Sequence, residues 1–292
     1  MERLEVLKTY KLYIGGAFPR TESGRYYTPV NGKERLGNIC LASRKDLRNA
    51  VVAARKAQPG WAGRTAYNRS QILYRIAEML ETRKAQFIDE LEQQGSTKAA
   101  AKKEVIASVD RLIHYAGWCD KYQQIFSSVN PVASAHFNFS VLEPTGVVYA
   151  MASDDSALLG IVSIMAPVIA GGNSLILLAP EDRPLSAITL GEVIHASDVP
   201  GGVVNVLTGK KEELIGHAAD HMDINAIAYC GDSAGVKKDL EERSVGNMKR
   251  IRIYDEDWKV AKAQGPYMIQ DFCEVKTTWH PIERISSAGS SY

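Results

Sequence analysis

The spacing of apolar residues changes character along this chain, and each change marks a different kind of structure. From Ser43 to Gln124 the apolar positions recur at helical intervals. Ser43 stands three positions before Asp46, the spacing of a capping box, and predicts a helix running to about Trp61. Thr65 opens a longer predicted helix with Ile72, Ile76, Leu80, Phe87 and Leu91 near one face, ending at Gly95. A third is predicted from about Thr97 to Gln124, with Val105, Val109, Leu112 and Ala116 turned inward. Ahead of these helices, Tyr10–Phe18 (YKLYIGGAF) reads as a strand or hairpin around Gly15-Gly16.

Between Asn130 and Pro144 the pattern alternates and is bounded by prolines, as in an antiparallel ribbon. From Gly146 onward, short β-branched runs alternate with helical stretches. Strands are expected at Val147–Ala152, Ser174–Leu178, Val203–Val206, Ile224–Tyr229 and Ile251–Tyr254, and helices at about 157–170, 184–197, 210–220 and 233–244. This order predicts an α/β fold. Its core is a doubly wound, Rossmann-like parallel sheet, with an N-terminal helical layer and a small antiparallel ribbon beside it. Phe272–Trp279 alternates again and is expected to be a strand, while 283–292 (ending SSAGSSY) reads as a flexible tail. Ser156–Ala179 carries no charge and is long enough to cross a bilayer, but Pro167 and Gly171-Gly172-Asn173-Ser174 cut it into helix-length and strand-length pieces. A buried helix followed by a buried strand is expected there.

Composition narrows the function. Hydrophobic residues make up 45% and charged residues 24%, ordinary for a globular protein. The net charge of +1 gives no general pull toward nucleic acid or anionic membrane, and neither partner is expected. The four cysteines, Cys40, Cys119, Cys230 and Cys273, form no CxxC. They fit a reducing, cytoplasmic setting and small buried apolar roles, with Cys230, near a helix start, as the one plausible context for a reactive thiol. No metal site is expected. His217 and His221 lie four apart on a helix without a third ligand, and His114, His136 and His195 have no metal-ligand company. Gly231–Gly235 (GDSAG) matches a nucleophile elbow. Ser233 would be the nucleophile, with His280 and one of Asp255, Asp257 or Asp271 as partners.

Several segments together resemble the aldehyde dehydrogenase superfamily. These are YKLYIGGAF, RLIHYAGWCDKY, LEPTGVV, APVIAGGNSLILLAPEDRP, VPGGVVNVLTG, SVGNMKRIRIYDEDW and the tail QDFCEVKTT, and they cover nearly the whole chain. The resemblance implies a coenzyme-binding-like domain from 1–129 and 145–262, and an oligomerisation ribbon from 130–144 and 266–282. It also exposes departures. Only a short stretch separates Trp258 from Tyr267, where the family places a complete catalytic domain with its nucleophilic cysteine. The family's oxyanion-stabilising Asn falls on Asp155, whose carboxylate cannot donate, and its general base Glu falls on Tyr254, a poor base at neutral pH. No catalytic residue is therefore assigned.

The resemblance places cofactor contacts at Glu181, Gly231, Asp232 and Ser233, as vestiges. The ribose-binding Lys of the family falls on Leu178, and Asp232 puts a negative charge where a diphosphate would meet the helix start, with a side chain able to cap those amides itself. No cofactor is expected to be required, and NAD(P) binding is expected to be weak. In layout the chain is most similar to the non-catalytic second half of two-unit, class sixteen members. The expected role is a structural or regulatory subunit, a homo-oligomer or a hetero-oligomer with a full-length aldehyde dehydrogenase. The alternative is an NAD(P)-binding oxidoreductase with residual activity.

Overall fold

The computed structural model describes residues 6–282, so the tail expected at 283–292 lies outside the described residues. Short strands β1 (Thr9–Tyr10), β2 (Tyr26–Tyr27), β3 (Val30–Asn31), β4 (Glu34–Arg35) and β5 (Asn38–Cys40) precede the helical layer. That layer is α1 (Arg44–Ala62), α2 (Ala66–Thr82), α3 (Lys84–Gln93), α4 (Lys98–Trp118) and α5 (Tyr122–Phe126). The ribbon strands β6 (Ser128–Asn130) and β7 (His136–Pro144) follow. The α/β part runs β8 (Val147–Met151), α6 (Leu159–Ala170), β9 (Ser174–Leu178), α7 (Leu185–His195), β10 (Val204–Leu207), α8 (Lys211–Asp220), β11 (Ala226–Cys230), α9 (Ala234–Ser244) and β12 (Arg250–Tyr254). It closes with α10 (Tyr267–Gln270) and β13 (Cys273–Pro281).

The central sheet has the order β10-β9-β8-β11-β12, and every pairing in it is parallel. Alternate side chains enter two separate cores, because strand side chains alternate between faces. Val148, Ala150, Leu175, Leu177, Ala226 and Ala228 pack toward α6 and α7. Tyr149, Met151, Ile176, Leu178, Ile227 and Tyr229 pack toward α1, α8 and α9. A parallel sheet covered on both faces explains why its strands read as unbroken apolar runs.

The uncharged stretch 156–179 resolves in the same way. All of α6 is buried, between the sheet, α2, α4 and α10, and β9 follows it. No described helix is long and apolar enough to cross a membrane.

Two sequence expectations about the helices need correction, and one about the opening segment is met. The helix expected from Thr65 to Gly95 is two helices. Arg83 leaves helical geometry (φ −97°, ψ 15°), and its guanidinium reaches Gln86 and Glu192 on α7. A tertiary contact thus breaks a pattern that is locally continuous. The helix expected to reach Gln124 stops at Trp118 and resumes as the short α5. The opening segment Tyr10–Phe18 forms the hairpin expected around Gly15-Gly16, with strand proper at Tyr10. Beyond it Tyr13 bridges Val206 and Ile14 bridges Ala17, across a turn in which Gly15 and Gly16 take φ of 63° and 83°, a conformation that suits glycine.

The ribbon is a second, antiparallel sheet of order β13-β7-β6. It begins two residues before the expected boundary, at Ser128, and α10 occupies part of the segment 266–282 that was expected to belong to it. β13 pairs with β7 along its whole length, from Cys273 opposite Pro144 to Pro281 opposite His136.

Candidate functional site

In an open parallel sheet, ligands collect outside the carboxyl ends of the strands where the chain order reverses. Here β8 leads outward to β9 and β10, and β11 returns to the other side of β8, so the reversal lies between β8 and β11. A cleft of about 320 Å³ opens at this edge. Its apolar walls are Met151 and Tyr229 from the strand ends, Ile215 from α8 and Val236 from α9. Its polar rim is Glu181, Lys211 and Glu212.

Glu181 lines this cleft from the loop that follows β9. Its main-chain carbonyl accepts a hydrogen bond from Tyr27 Oη at 3.1 Å. Burial raises its pKa, Lys210 opposes that, and Asp182, Glu212 and Asp154 add to it. Leu178, in the position of the family's Lys, is fully buried at the end of β9. Lys211 is the one cation lining the cleft, and it forms an ion pair with Asp154 from the loop after β8. The rim thus offers carboxylates and an already paired ammonium, chemistry that receives hydroxyl groups better than a diphosphate.

The β11–α9 turn holds Gly231, Asp232 and Ser233. The Gly231 amide donates to Tyr254 O at 3.0 Å, and Tyr229 folds back so that a Cβ on Gly231 would stand 2.7 Å from its hydroxyl. A larger residue there would have to push the Tyr229 ring aside. Asp232, whose side chain is able to cap the start of α9, does not do so. Ser233 occupies the N-cap position, neither side chain hydrogen-bonds the helix amides, and Asp232 is exposed. With solvent available to those amides, nothing pulls the carboxylate inward.

The positions that correspond to catalytic groups are engaged otherwise. Asp155 is exposed in a turn with Ser153, whose hydroxyl accepts its amide at 3.2 Å. Tyr254 donates to Asp271 Oδ2 at 2.8 Å, and burial and that carboxylate hold its pKa far above the usual phenol range. All four cysteines are buried. Burial pushes the thiols of Cys119, Cys230 and Cys273 up to about 12. The helix start near Cys230 therefore does not activate it, because its side chain faces the core rather than the turn.

The nucleophile-elbow reading also loses its partners. Ser233 is exposed and has no histidine hydrogen-bonded to it, Asp271 is held by Tyr254 and Arg252, and His280 lies on the ribbon opposite Phe137. Among the described residues no group of three or more His, Cys, Asp or Glu could hold a metal.

Two residues that the sequence did not single out organise this end of the molecule. Glu104 on α4 accepts at one oxygen from Ser156 Oγ (2.7 Å), Leu158 N (2.9 Å) and Leu159 N (3.1 Å), so the start of α6 is capped from another helix. Arg111, two turns further along α4, donates to the carbonyls of Trp258 and Ala263 and to Ser163. It fixes the connection between sheet and ribbon. Neither contact leaves a local signal, because each partner is distant in sequence.

The ribbon carries the other notable surface. Val129, Phe137, Phe139 and Val141 lie on one face of it around an open groove of about 330 Å³, with the two phenyl rings 5.5 Å apart. Val129 is 68% exposed and Phe137 45%. The outer edge of β13 pairs with no described strand.

The family model described as aldehyde dehydrogenase family matches residues 19–253. The chain is 30% identical over 252 residues to DhaS of Bacillus subtilis (strain 168), covering 84% of this chain and 50% of that one. It is 28% identical over 251 residues to the cytosolic 10-formyltetrahydrofolate dehydrogenase of Xenopus tropicalis, covering 84% of this chain and 28% of that protein. It superimposes with a TM-score of 0.80, at 26% identity, on the NAD+ complex of an aldehyde dehydrogenase from Bacillus cereus, covering 84% of this chain and 50% of that structure. The chain thus spans half or less of the length of these relatives.

Proposed function

This chain belongs to the aldehyde dehydrogenase family, and from that premise we propose that it is a non-catalytic structural or regulatory subunit of an aldehyde dehydrogenase assembly. The observation that carries the reading is the uncovered ribbon. An apolar face bearing Phe137 and Phe139 lies beside a nine-residue strand whose outer edge has no described partner. Exposed edges and contiguous apolar faces are what a sheet protein covers by association. The occupant is a second copy of the chain or a full-length family member in the cytoplasm.

The chemistry agrees with a role outside catalysis. The segment 255–266 passes from the sheet to α10 and β13 without room for a further domain. Three thiols are held neutral by burial, Tyr254 is committed as a donor, and Asp155 offers a negative charge where an oxyanion would need a donor.

Size-exclusion chromatography with light scattering tests the reading, using the purified chain alone and mixed with a full-length aldehyde dehydrogenase. A dimer or larger species, or co-elution, is expected. A monomer that ignores the full-length enzyme ends the proposal.

A second reading, weak residual NAD(P) binding, is favoured by the position of Glu181 at the cleft. A ribose hydroxyl could donate to it there while the apolar walls take a flat ring. Calorimetry with NAD and NADP at millimolar concentration decides this: no heat and no thermal stabilisation removes it.

A further inference from the structure

On one face of the central sheet, α1 and α8 pack through Leu47, Val51, Leu214 and Ala218, which share one core. A cleft of about 500 Å³ lies at the edge of that contact. Arg44 and Arg48 line it from α1, one helical turn apart and therefore on one face. His217 lines it from α8, and His221 from the position just past that helix's end. These are the two histidines whose spacing has no metal to explain it.

The charge balance of the cleft is positive. Neither Arg44 nor Arg48 forms an ion pair or a side-chain hydrogen bond with any described residue, although side chains of this kind usually find a carboxylate. The one acid lining the cleft, Asp220, is held by Arg243 at 2.9 Å. The nearby Asp223 faces Arg55 at 3.8 Å. Beneath the cleft, Lys249 donates its ammonium to the carbonyls of His221 and Ile224, both at 2.7 Å. His221 Nδ1 accepts the Asp223 amide at 3.2 Å, which leaves its Nε2 to carry the ring proton as a donor. Burial is the larger effect holding that ring neutral; Asp223 favours its charge, while Lys249, Arg44 and Arg48 disfavour it. Such a cluster of donors that oppose one another's charge is relieved by an anion.

We propose that this cleft binds a phosphorylated small molecule, its phosphate held between Arg44 and Arg48 and the imidazoles of His217 and His221. Guanidinium forks match phosphate oxygens two at a time, and a dianion balances two of them. The cleft is larger than a bare phosphate requires, and Leu47 and Met222 supply apolar surface for an organic body. The site lies apart from both the switch-point cleft and the ribbon, and it does not depend on the role proposed for either.

The test is titration of the purified full chain with inorganic pyrophosphate, followed by calorimetry and by the ring-proton NMR signals of the histidines. A citrate titration serves as the carboxylate arm. Saturable one-to-one binding of pyrophosphate in the millimolar range or tighter is expected, with the His217 and His221 signals moving and the other histidine signals still. The double variant Arg44→Gln/Arg48→Gln should weaken it by about tenfold or more, the effect of losing two charge-assisted contacts. Both arginines are exposed, so an unchanged thermal midpoint should show that this variant folds. Pyrophosphate that fails to saturate, or that binds the double variant as well as the parent, overturns the site. Citrate binding as tightly as pyrophosphate overturns the phosphate assignment.

Discussion

The guanidinium of Arg111 donates to the main-chain carbonyl of Trp258 at 3.0 Å. A charged side chain on the helical layer thereby anchors the segment that carries the chain from the sheet to the ribbon. The same group donates to Ala263 O at 2.9 Å and to Ser163, and it is only 4% exposed. No described carboxylate pairs with it, so three neutral acceptors replace its hydration. Arg111→Met should cost about 2–4 kcal/mol, because the two buried carbonyls lose their donor. Arg111→Lys should recover only part, since an ammonium cannot reproduce the planar fork. Urea denaturation midpoints of the three proteins measure this, and a methionine variant as stable as the parent would refute it.

Glu104 sets the start of α6 in a similar way. The helix begins buried at Leu159, and its own N-cap residue, Leu158, has no side chain that can accept. Three donors instead share one carboxylate oxygen of Glu104. Glu104→Ala should destabilise the protein by about 1–3 kcal/mol, the cost of buried donors left without an acceptor. Glu104→Gln keeps one oxygen and should lose less. Equal losses in the two variants, read from thermal midpoints, would mean that the contact contributes shape rather than hydrogen bonding.

Glu90 makes stability depend on pH in a defined direction. Its carboxyl is 4% exposed and accepts from Thr189 Oγ1 at 2.6 Å and Tyr10 Oη at 3.4 Å, while its second oxygen has no partner. Burial raises its pKa above the ordinary 4.5. The Thr189 and Tyr10 hydrogen bonds and Lys8 oppose the rise, and Glu192 adds to it. A raised folded-state pKa means that the folded protein holds the proton more tightly than the unfolded chain. The associated stability is complete below pH 4.5 and is lost as pH rises through the folded value. Glu90→Gln mimics the protonated form. It should be more stable than the parent at pH 7, with the difference vanishing near pH 4. Paired urea titrations at the two pH values check this; a variant less stable than the parent at pH 7 contradicts it.

The thiols should be silent in the folded protein. With Cys119, Cys230 and Cys273 pushed up to about 12, the thiolate fraction at neutral pH is of order one in a hundred thousand. A disulfide reagent at pH 7.5 should modify these three no faster than the protein opens, and all of them promptly in denaturant. Rapid stoichiometric labelling of Cys230 in the native state would reopen the question of a reactive thiol.

What the sequence disclosed was what neighbouring residues decide together. The Ser43–Asp46 capping box is present as expected, and the alternating α/β texture after Gly146 yields the five parallel strands nearly residue by residue. The site was less legible. Glu181 lines the switch-point cleft, but Lys211 lines it too and pairs with Asp154, which no spacing rule connects to it. Arg83 broke a continuous helical pattern through its contact with Glu192, more than a hundred positions away. Asp232 failed as a cap because its reach depends on a turn geometry that composition does not specify. In each case the deciding partner was distant in the chain or the deciding angle was local to a loop.

The ribbon offers the most direct test of assembly at the level of one side chain. Phe137 is 45% exposed, lies opposite His280 on β13 and stacks beside Phe139 on the uncovered face. Its ring is not needed to complete the core beneath the sheet, so Phe137→Glu should leave the fold and thermal midpoint of the isolated chain nearly unchanged. In an assembled interface the same change would place a charge in an apolar contact, where a buried aromatic anchor contributes about 2 kcal/mol or more. Light scattering across a dilution series should therefore show the variant dissociating at a concentration at least about tenfold higher than the parent. If the variant associates as tightly as the parent, this face is not the contact, and the outer edge of β13 becomes the remaining place on the ribbon for a partner to pair.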